Sequence, residues 1–233
     1  MPAKIITGNI FTTNCQTIVN TINCVGVMGA GIALECRLRY PDMHEKYIKL
    51  CMDNHIDIGL LWIYKSSDKW VLNFPTKKHW KYPSKKEYIC LGLEKFISTY
   101  KERGIESIAF PLLGADKGGI PQEESLSLMR HYLDSLSIDV EIYRYSPTAE
   151  DDLYKKTKDW LLSKDVEYIS QSTGLRRNFV TKVSDAMRSR DIHQLNQLGK
   201  VDGIGIKTLE KIFNLAQQSL NSDSVVANQQ PLF

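Results

Sequence analysis

The sequence predicts an α/β domain followed by a small all-α domain. Six stretches rich in β-branched and aromatic residues have the composition of β-strands, and the segments between them repeat apolar residues at the three- and four-residue spacing of helices. After residue 145 the strand-like stretches stop and helical patterns continue. Strands that alternate with helices indicate a layered α/β domain, and 233 residues leave room for a second, smaller one.

The predicted strands lie at residues 4–7, 17–22, 60–64, 70–74, 107–112 and 140–145. The predicted helices lie at residues 30–39, 43–53, 87–101 and 123–136, with Pro41 and Pro121 at helix starts. A further helix is expected at residues 149–162, where acidic residues precede lysines, as the helix dipole favours. We therefore place domains at residues 1–148 and 149–220, and a flexible, polar tail at residues 221–233.

Composition excludes few classes of function. The formal net charge of +3 permits a nucleic-acid partner without demonstrating one. The five cysteines form no CxxC pair, and the chain has no HExxH motif, so neither a disulfide framework nor a metal site is indicated. There is no signal-peptide pattern and no long apolar run, so we expect a cytoplasmic protein with no membrane partner.

Two glycine clusters each follow a predicted strand and precede a predicted helix. The first covers residues 26–31 (GVMGAG) and the second residues 114–119 (GADKGG). Backbone N–H groups in such loops can approach an anion closely, and two of them at strand ends suggest a ligand with a diphosphate. The alternative is that both are tight turns that need glycine for a positive φ.

Four segments carry a resemblance to a known family. Residues 8–10 (GNI), 18–41, 73–80 (NFPTKKHW) and 107–120 (SIAFPLLGADKGGI) resemble a macrodomain in order and spacing over about 145 residues. The chain is most similar to DNA ADP-ribosyl glycohydrolase antitoxins, and the terminal-ADP-ribose glycohydrolases are a related branch. The resemblance implies a three-layer α/β/α fold with a mixed central sheet, and ADP-ribose as ligand or product with no other cofactor.

The resemblance also implies which residues contact ADP-ribose. Asn9 and Ile10 would lie near the adenine, where many macrodomains have an Asp that accepts from the adenine amine; the Asn9 carbonyl could still accept. Asn20 and Asn23 match asparagines that orient the distal ribose, although they could instead cap the turn. The remaining expected contacts are Gly26, Val27, Met28, Gly29 and Gly31 around that ribose, Gly114, Ala115, Asp116, Lys117, Gly118 and Gly119 around the diphosphate, Tyr145 stacked near the adenine, and Thr76 and Leu113.

Lys77 matches the family's lysine and is the predicted catalytic residue, together with Asn20 and Asn23. To attack the anomeric carbon, a lysine must lose its proton, so its pKa has to fall through burial or through cationic neighbours such as Lys78. Without the resemblance, an exposed lysine in a basic loop would be the simpler interpretation.

One position departs from the related branch. The terminal-ADP-ribose glycohydrolases pair their lysine with an Asp in the second loop, whereas this chain has Gly118 there, as the DNA-directed antitoxins do, and Asp116 is offset by two residues. A nucleobase leaving group needs less proton help than an alcohol, so the missing Asp favours a DNA substrate.

Two segments suggest contact with DNA. Lys78, Trp80 and Lys81 combine cations with an aromatic ring beside Lys77, a surface that can hold phosphates and stack an unpaired base, or a loop whose Trp80 packs on its own domain. Residues 195–216 resemble a helix-hairpin-helix motif, in which Gly203, Gly205 and Lys207 would bind a DNA phosphate independently of sequence. A weaker copy of the motif begins at Gly174, 29 residues before Gly203. The alternative is a helical hairpin used only for packing.

The leading hypothesis is a glycohydrolase that removes ADP-ribose from DNA, single-stranded at the modified base, in repair or as an antitoxin. A cognate ADP-ribosyltransferase toxin would then be a partner. Gln229, Leu232 and Phe233 are spaced as in a peptide that binds the bacterial sliding clamp. The alternatives are a non-catalytic ADP-ribose-binding module and a hydrolase acting on ADP-ribosylated protein carboxylates or a small ester.

Overall fold

The computed structural model describes residues 2–227, and side chains through residue 218. Two compact units make up the chain, the first ending at Ser146 and the second beginning at Pro147. Each unit is described by itself.

The first unit is built on one sheet, and each predicted strand overlaps an observed one. The strands are β1 (Lys4–Gly8), β2 (Thr17–Asn23), β3 (Trp62–Lys65), β4 (Trp70–Lys77), β5 (Ser107–Pro111) and β6 (Asp139–Tyr145), in the order β1-β6-β5-β2-β4-β3. Only the β3–β4 pair in this sheet is antiparallel. The predicted mixed sheet is confirmed, and five parallel strands end at a common carboxyl edge.

Helices cover both faces of the sheet, because alternate residues of the buried strands are apolar in both directions. They are α1 (Gly31–Arg39), α2 (Pro41–Met52), α3 (Lys86–Thr99) and α4 (Gln122–Leu133). Ile18 and Ile22 of β2 share one apolar core with Tyr47 of α2, while Val19 between them joins the core beneath α3 and α4. The predicted three-layer α/β/α architecture is confirmed.

The second unit is helical, as predicted. It contains α5 (Tyr154–Ser163), α6 (Val166–Thr173), α7 (Arg177–Arg188), a 3-10 turn (Leu195–Lys200) and α8 (Ile206–Ala227). The first helix starts later than the predicted residue 149. The buried Asp151 carboxylate explains this, because it accepts from the backbone N–H of Leu153 at 2.8 Å and of Leu195 at 2.6 Å, which holds residues 151–153 outside a helix.

The end of the chain differs from the predicted boundary as well. The α8 backbone continues past residue 220, where the sequence predicts a flexible tail, and remains helical to Ala227. The predicted clamp-binding residues Gln229, Leu232 and Phe233 lie outside the described residues. None of the helices over residues 2–227 combines the length and apolarity that crossing a bilayer requires.

The two similar segments, which lie 29 residues apart in the sequence, form two equivalent turns. Gly174 and Gly203 both have positive φ, at 64° and 76°, and α7 and α8 each begin three residues after their glycine. The contacts are reciprocal: Lys211 of α8 donates to the Gly174 carbonyl, and a Cβ built on Gly203 would lie 2.1 Å from Nζ of Lys182 on α7. Each lysine stands eight residues after its own glycine and contacts the other turn.

Candidate functional site

The carboxyl edge of the first unit's sheet gathers the loops that carry the predicted site. Loops leave this edge after β1, β2, β4 and β5, and the ends of parallel strands are where α/β proteins commonly bind ligands. The backbone joins two of these loops directly, since Cys24 N–H donates to the Lys78 carbonyl at 3.2 Å. A second contact ties the β4 loop to the second glycine loop, where Ser84 N–H donates to the Gly118 carbonyl at 2.9 Å.

A β-bulge at the end of β4 determines where Lys77 lies. Ile22 pairs with Pro75, but the next residue, Asn23, pairs with Lys77, so Thr76 is an extra residue in β4. A bulge changes the direction of the side chains that follow it. Lys77 therefore stands directly opposite Asn23 at the carboxyl edge.

The Lys77 amine reaches across to the second glycine loop. Its Nζ donates to the Lys117 carbonyl at 2.5 Å, and burial lowers the pKa of the Lys77 side chain. Of the two causes that the sequence left open, burial produces this shift and Lys78 does not. It forms an ion pair with Asp57 instead, and the hydrogen bond to that carboxylate raises the pKa of Lys78.

Asn23 organises the first glycine loop. Its Oδ1 accepts from the backbone N–H groups of Val25 at 3.0 Å and Val27 at 3.3 Å, and its Nδ2 donates to the Val27 carbonyl at 2.6 Å. Tyr47, fully buried in α2, donates from its hydroxyl to the Asn23 carbonyl at 2.7 Å. Asn23 thus has the turn-capping role left open by the sequence, and it holds the loop that leads into α1.

Asn20 lies deeper in the sheet than Asn23. Its side chain is fully buried and donates to Oδ1 of Asn73, its register partner on β4, at 2.9 Å. Asn73 in turn donates to the Met43 sulfur at 3.5 Å. The Asn20 Oδ1 has no hydrogen-bond partner. This amide pair links the two strands that carry Asn23 and Lys77.

The second glycine loop is packed on Ser84. A Cβ placed on Gly118 would lie 2.7 Å from the Ser84 Oγ, and one on Gly114 would lie 2.7 Å from Ile120 Cδ1. The Ser84 hydroxyl is buried without a hydrogen-bond partner. Asp116 is exposed and accepts from Gln122 at 3.4 Å. The loop therefore has no space for an acidic side chain at position 118, and its own carboxylate points to α4.

Asn9 and Tyr145 lie together at the far side of the same edge. Gly8 is the register partner of Tyr145, and Asn9 follows Gly8 as the cap of a 3-10 turn (Ile10–Thr12). Asn9 is buried, with its Oδ1 accepting from the Phe11 N–H at 3.1 Å, whereas the Tyr145 ring is 52% exposed. The Asn9 carbonyl expected to face a ligand is thus engaged by the backbone.

An exposed aromatic cluster follows Lys77 along the chain. The His79 and Trp80 rings are stacked at 5.7 Å, His79 lies 5.6 Å from Tyr82, and the Lys81 ammonium lies 5.2 Å from the Trp80 ring. Trp80 is 49% exposed and Tyr82 is 66% exposed. The Trp80 side chain is therefore only partly packed on its own domain.

The second unit exposes its own candidate contacts. Gly203, Gly205 and Lys207 are all exposed where α8 begins, and Ile204 between the two glycines is buried. The Gly205 carbonyl accepts from Thr208 and Leu209 as the first turn of α8 forms. The backbone N–H groups at the start of a helix have no partner within the helix, so this turn can bind an anion.

The structure brings most predicted site residues of the first unit to one edge, with several in the core beneath it. Pattern reading missed Ser84, Asn73 and Tyr47, because each acts through a contact distant in sequence. Nothing in the described residues groups three or more His, Cys, Asp or Glu side chains as a metal would need. The buried members of the predicted set are Asn9, Ile10, Asn20, Asn23, Met28, Thr76, Leu113, Gly114, Ala115 and Gly118.

Comparison with known proteins places the first unit in a family. Residues 19–129 match the Macro domain family model. Over 148 residues the chain is 36% identical to the DNA ADP-ribosyl glycohydrolase of Thermus aquaticus, which covers 62% of this chain and 41% of that protein. The solved macrodomain of Thermus aquaticus DarG is 35% identical, with a TM-score of 0.58, and the match covers 61% of this chain and 97% of that one.

A second relative comes from Thermosipho africanus. It is a DNA ADP-ribosyl transferase-DNA ADP-ribosyl glycohydrolase fusion protein, 32% identical over 159 residues that cover 60% of this chain and 41% of that protein. The solved structure of Thermosipho africanus DarTG in complex with ADP-ribose is 33% identical, with a TM-score of 0.58, over 61% of this chain and 41% of that one. This chain thus spans about two fifths of these curated relatives. From the fold, the loops at the carboxyl edge and these similarities, the chain belongs to the macrodomain family.

Proposed function

We propose that the first unit binds ADP-ribose at the carboxyl edge of its sheet and hydrolyses the bond between ADP-ribose and a DNA base. The observation that carries this proposal is the Lys77 amine, which lies opposite Asn23, contacts the Lys117 carbonyl and has a pKa lowered by burial. The relatives named as DNA ADP-ribosyl glycohydrolases support the same reaction and substrate.

Lys77 acts as the nucleophile in this proposal. Its neutral amine forms a bond to the anomeric carbon of the distal ribose while the bond to the base breaks, and the electron pair leaves with the base. The base takes up a proton, and water then releases ADP-ribose and regenerates the amine. Lowering the pKa of Lys77 increases the fraction of neutral amine at physiological pH, and Asn23 holds the adjoining loop in place.

The decisive experiment measures release of ADP-ribose from a mono-ADP-ribosylated single-stranded oligonucleotide by the wild type, Lys77→Ala and Lys77→Arg. We expect release by the wild type and a loss of about 100-fold or more in both variants, because arginine keeps the charge but cannot lose its proton. Lys95→Ala is the matched control, since Lys95 is an exposed lysine on α3 outside the proposed site, and this variant should keep the wild-type rate.

The other outcomes assign different functions. Activity retained by Lys77→Arg would make Lys77 an essential cation and not a nucleophile. If the wild type binds ADP-ribose but releases none from DNA, the first unit would be a non-catalytic binding module. The second glycine loop fits that function too, because it has Gly118 in place of an acidic residue. Release from ADP-ribosylated protein carboxylates, but not from DNA, would assign the third alternative.

The DNA substrate has two proposed contact surfaces. Trp80, Lys78 and Lys81 would hold the unpaired strand beside Lys77, with the exposed Trp80 ring stacking a base. In the second unit, Gly203, Gly205 and Lys207 would bind a phosphate at the start of α8 without reading sequence. The two glycine turns lie close together, with Lys211 donating to the Gly174 carbonyl and Lys182 lying beside Gly203.

A proposed partner follows from the substrate. ADP-ribosylated DNA has to be produced by a DNA ADP-ribosyltransferase, and the Thermosipho africanus relative carries a transferase and a glycohydrolase in one chain. We therefore propose a cognate ADP-ribosyltransferase toxin as the partner that this protein counteracts.

A further inference from the structure

The loop after β4, residues 78–84, is held at both ends by the segments that carry the glycine loops. Its first residue accepts through its carbonyl from the N–H of Cys24, shortly before the first glycine loop, and Ser84 N–H donates to the Gly118 carbonyl in the second. The Lys77 amine contacts the second glycine loop as well. Residues 78–84 therefore run from one glycine loop to the other beside Lys77.

A histidine in this loop has its tautomer set by the backbone. The Nδ1 of His79 accepts from the Lys81 N–H at 3.2 Å, so the proton of the neutral ring is on Nε2. The turn that makes this contact is closed by the Tyr82 N–H, which donates to the His79 carbonyl at 3.1 Å. Among the described residues, the Nε2–H group has no acceptor. His79 thus has a donor available for a ligand.

The imidazole is half-buried between two rings that solvent reaches. It is stacked with Trp80 at 5.7 Å, with 25° between the ring planes, and lies 5.6 Å from Tyr82. Both neighbours are exposed, so a base that stacks on Trp80 lies beside the imidazole. Because two residues of chain span at most about 7 Å, the imidazole and the Lys77 amine are close enough to contact one modified nucleotide.

The proposed reaction leaves negative charge on the DNA base. When the bond between the anomeric carbon and the base breaks, its electron pair stays on the base, and the second glycine loop has Gly118 where an acid would assist. A donor that is held in place before the charge develops stabilises the transition state. A neutral imidazole can be such a donor, because it polarises an acceptor without giving up its proton.

We propose that His79 is a catalytic residue that donates a hydrogen bond from Nε2 to the departing base. The electron pair of the breaking bond moves onto the base, the His79 hydrogen bond stabilises the resulting anion, and a proton from solvent then neutralises it. His79 keeps its own proton throughout. This inference deepens the proposed glycohydrolase function and rests on it.

Two substitutions separate the donor from the turn. In His79→Asn the side-chain oxygen can still accept from the Lys81 N–H but no group stands at the Nε2 position, whereas His79→Gln places an amide NH₂ near that position. We expect His79→Asn to lose about 100-fold in kcat for release of ADP-ribose from the modified oligonucleotide, and His79→Gln to lose about tenfold less. Unchanged melting temperature and ADP-ribose affinity check the fold. His131→Asn, an exposed histidine in the last turn of α4, is the matched control and should keep the wild-type rate.

A substrate with a better leaving group tests the chemical role. 4-Nitrophenyl ADP-ribose releases a stable nitrophenolate that needs little help from a donor, so the wild type and His79→Asn should cleave it at rates within about twofold. Equal losses on both substrates, or a wild-type rate of His79→Asn on the oligonucleotide, would overturn the His79 inference alone. A wild type that releases no ADP-ribose from the oligonucleotide would overturn the proposed function and this inference with it.

Discussion

At the scale of single residues, the proposed chemistry depends on the environment of one amine, that of Lys77. Lys77 is the last residue of β4, and the bulge at Thr76 sets it opposite Asn23. Removing an ammonium from water penalises its charged form, and burial is the cause of the lowered pKa of Lys77. Lys78, one residue away, keeps its proton because Asp57 pairs with it. Adjacent lysines therefore differ in protonation behaviour.

This difference predicts the pH dependence of the reaction. In the proposed mechanism the neutral amine is the reactive form, so kcat/KM for release of ADP-ribose should rise with pH. It should level off below the value of about 10.4 at which an ordinary lysine titrates. The measurement is a pH–rate profile on the modified oligonucleotide, with Lys77→Ala as the control that should lack the inflection. A rate that falls as the pH increases would contradict the neutral-amine mechanism.

The sequence identifies those residues of this site that can be recognised from the few residues on either side of them. Lys77 and the glycine loops stand at strand ends, and strand ends can be read from apolar patterns. The hydrogen bond from Tyr47 to Asn23 and the pair between Asn20 and Asn73 join segments far apart in the chain. The hydrogen bond from the Phe11 N–H to the Asn9 Oδ1 could not be predicted either, because it forms only when the chain folds into the turn after β1.

At the scale of elements, the second glycine loop and the β4 loop restrict each other through Ser84. Gly118→Ala should lower the free energy of unfolding by about 1–3 kcal/mol, because the added methyl would lie 2.7 Å from the Ser84 Oγ. In a Ser84→Gly background the same substitution should cost clearly less. Chemical denaturation of the two single variants and the double variant measures this coupling.

Gly29→Ala supplies the matched control for that prediction. A Cβ on Gly29 would find its nearest neighbour at 3.8 Å, an ordinary contact, so the change should be within about 0.5 kcal/mol. Additive effects of Gly118→Ala and Ser84→Gly would show that the serine is not what excludes a larger side chain at position 118.

The predicted elements correspond closely to those observed, and the differences have tertiary causes. Apolar spacing and the proline positions are local signals, so α2 begins at Pro41 and α4 directly after Pro121. The late start of α5 could not be read locally, because Asp151 binds the N–H of Leu195. The bulge at Thr76 was also unpredictable, since it exists only in the pairing of β4 with β2.

At the scale of the whole molecule, the chain combines a macrodomain with a helical unit built from two similar turns. The second unit gives a prediction on DNA affinity. Lys207→Ala should weaken binding to unmodified DNA about equally for different sequences and reduce the salt dependence of the binding constant by about one ion. Fluorescence anisotropy at several salt concentrations measures both quantities.

Lys155→Ala, an exposed lysine on α5, is the control, and it should leave the salt dependence unchanged. ADP-ribose affinity should be the same in all three proteins, because the ligand site belongs to the first unit. A salt dependence unaffected by Lys207→Ala would indicate that the turn at Gly203 serves packing and not DNA binding.

The strand order of the sheet has a consequence for synthesis of the chain. The edge strand β1 pairs only with β6, the last strand of its unit. On a ribosome adding about 5–20 residues per second, β1 therefore waits on the order of ten seconds for its partner. During that interval Asn9 and Tyr145 are not yet adjacent. A nascent chain would acquire the glycine loops around Lys77 before it acquires the surface proposed to hold the adenine.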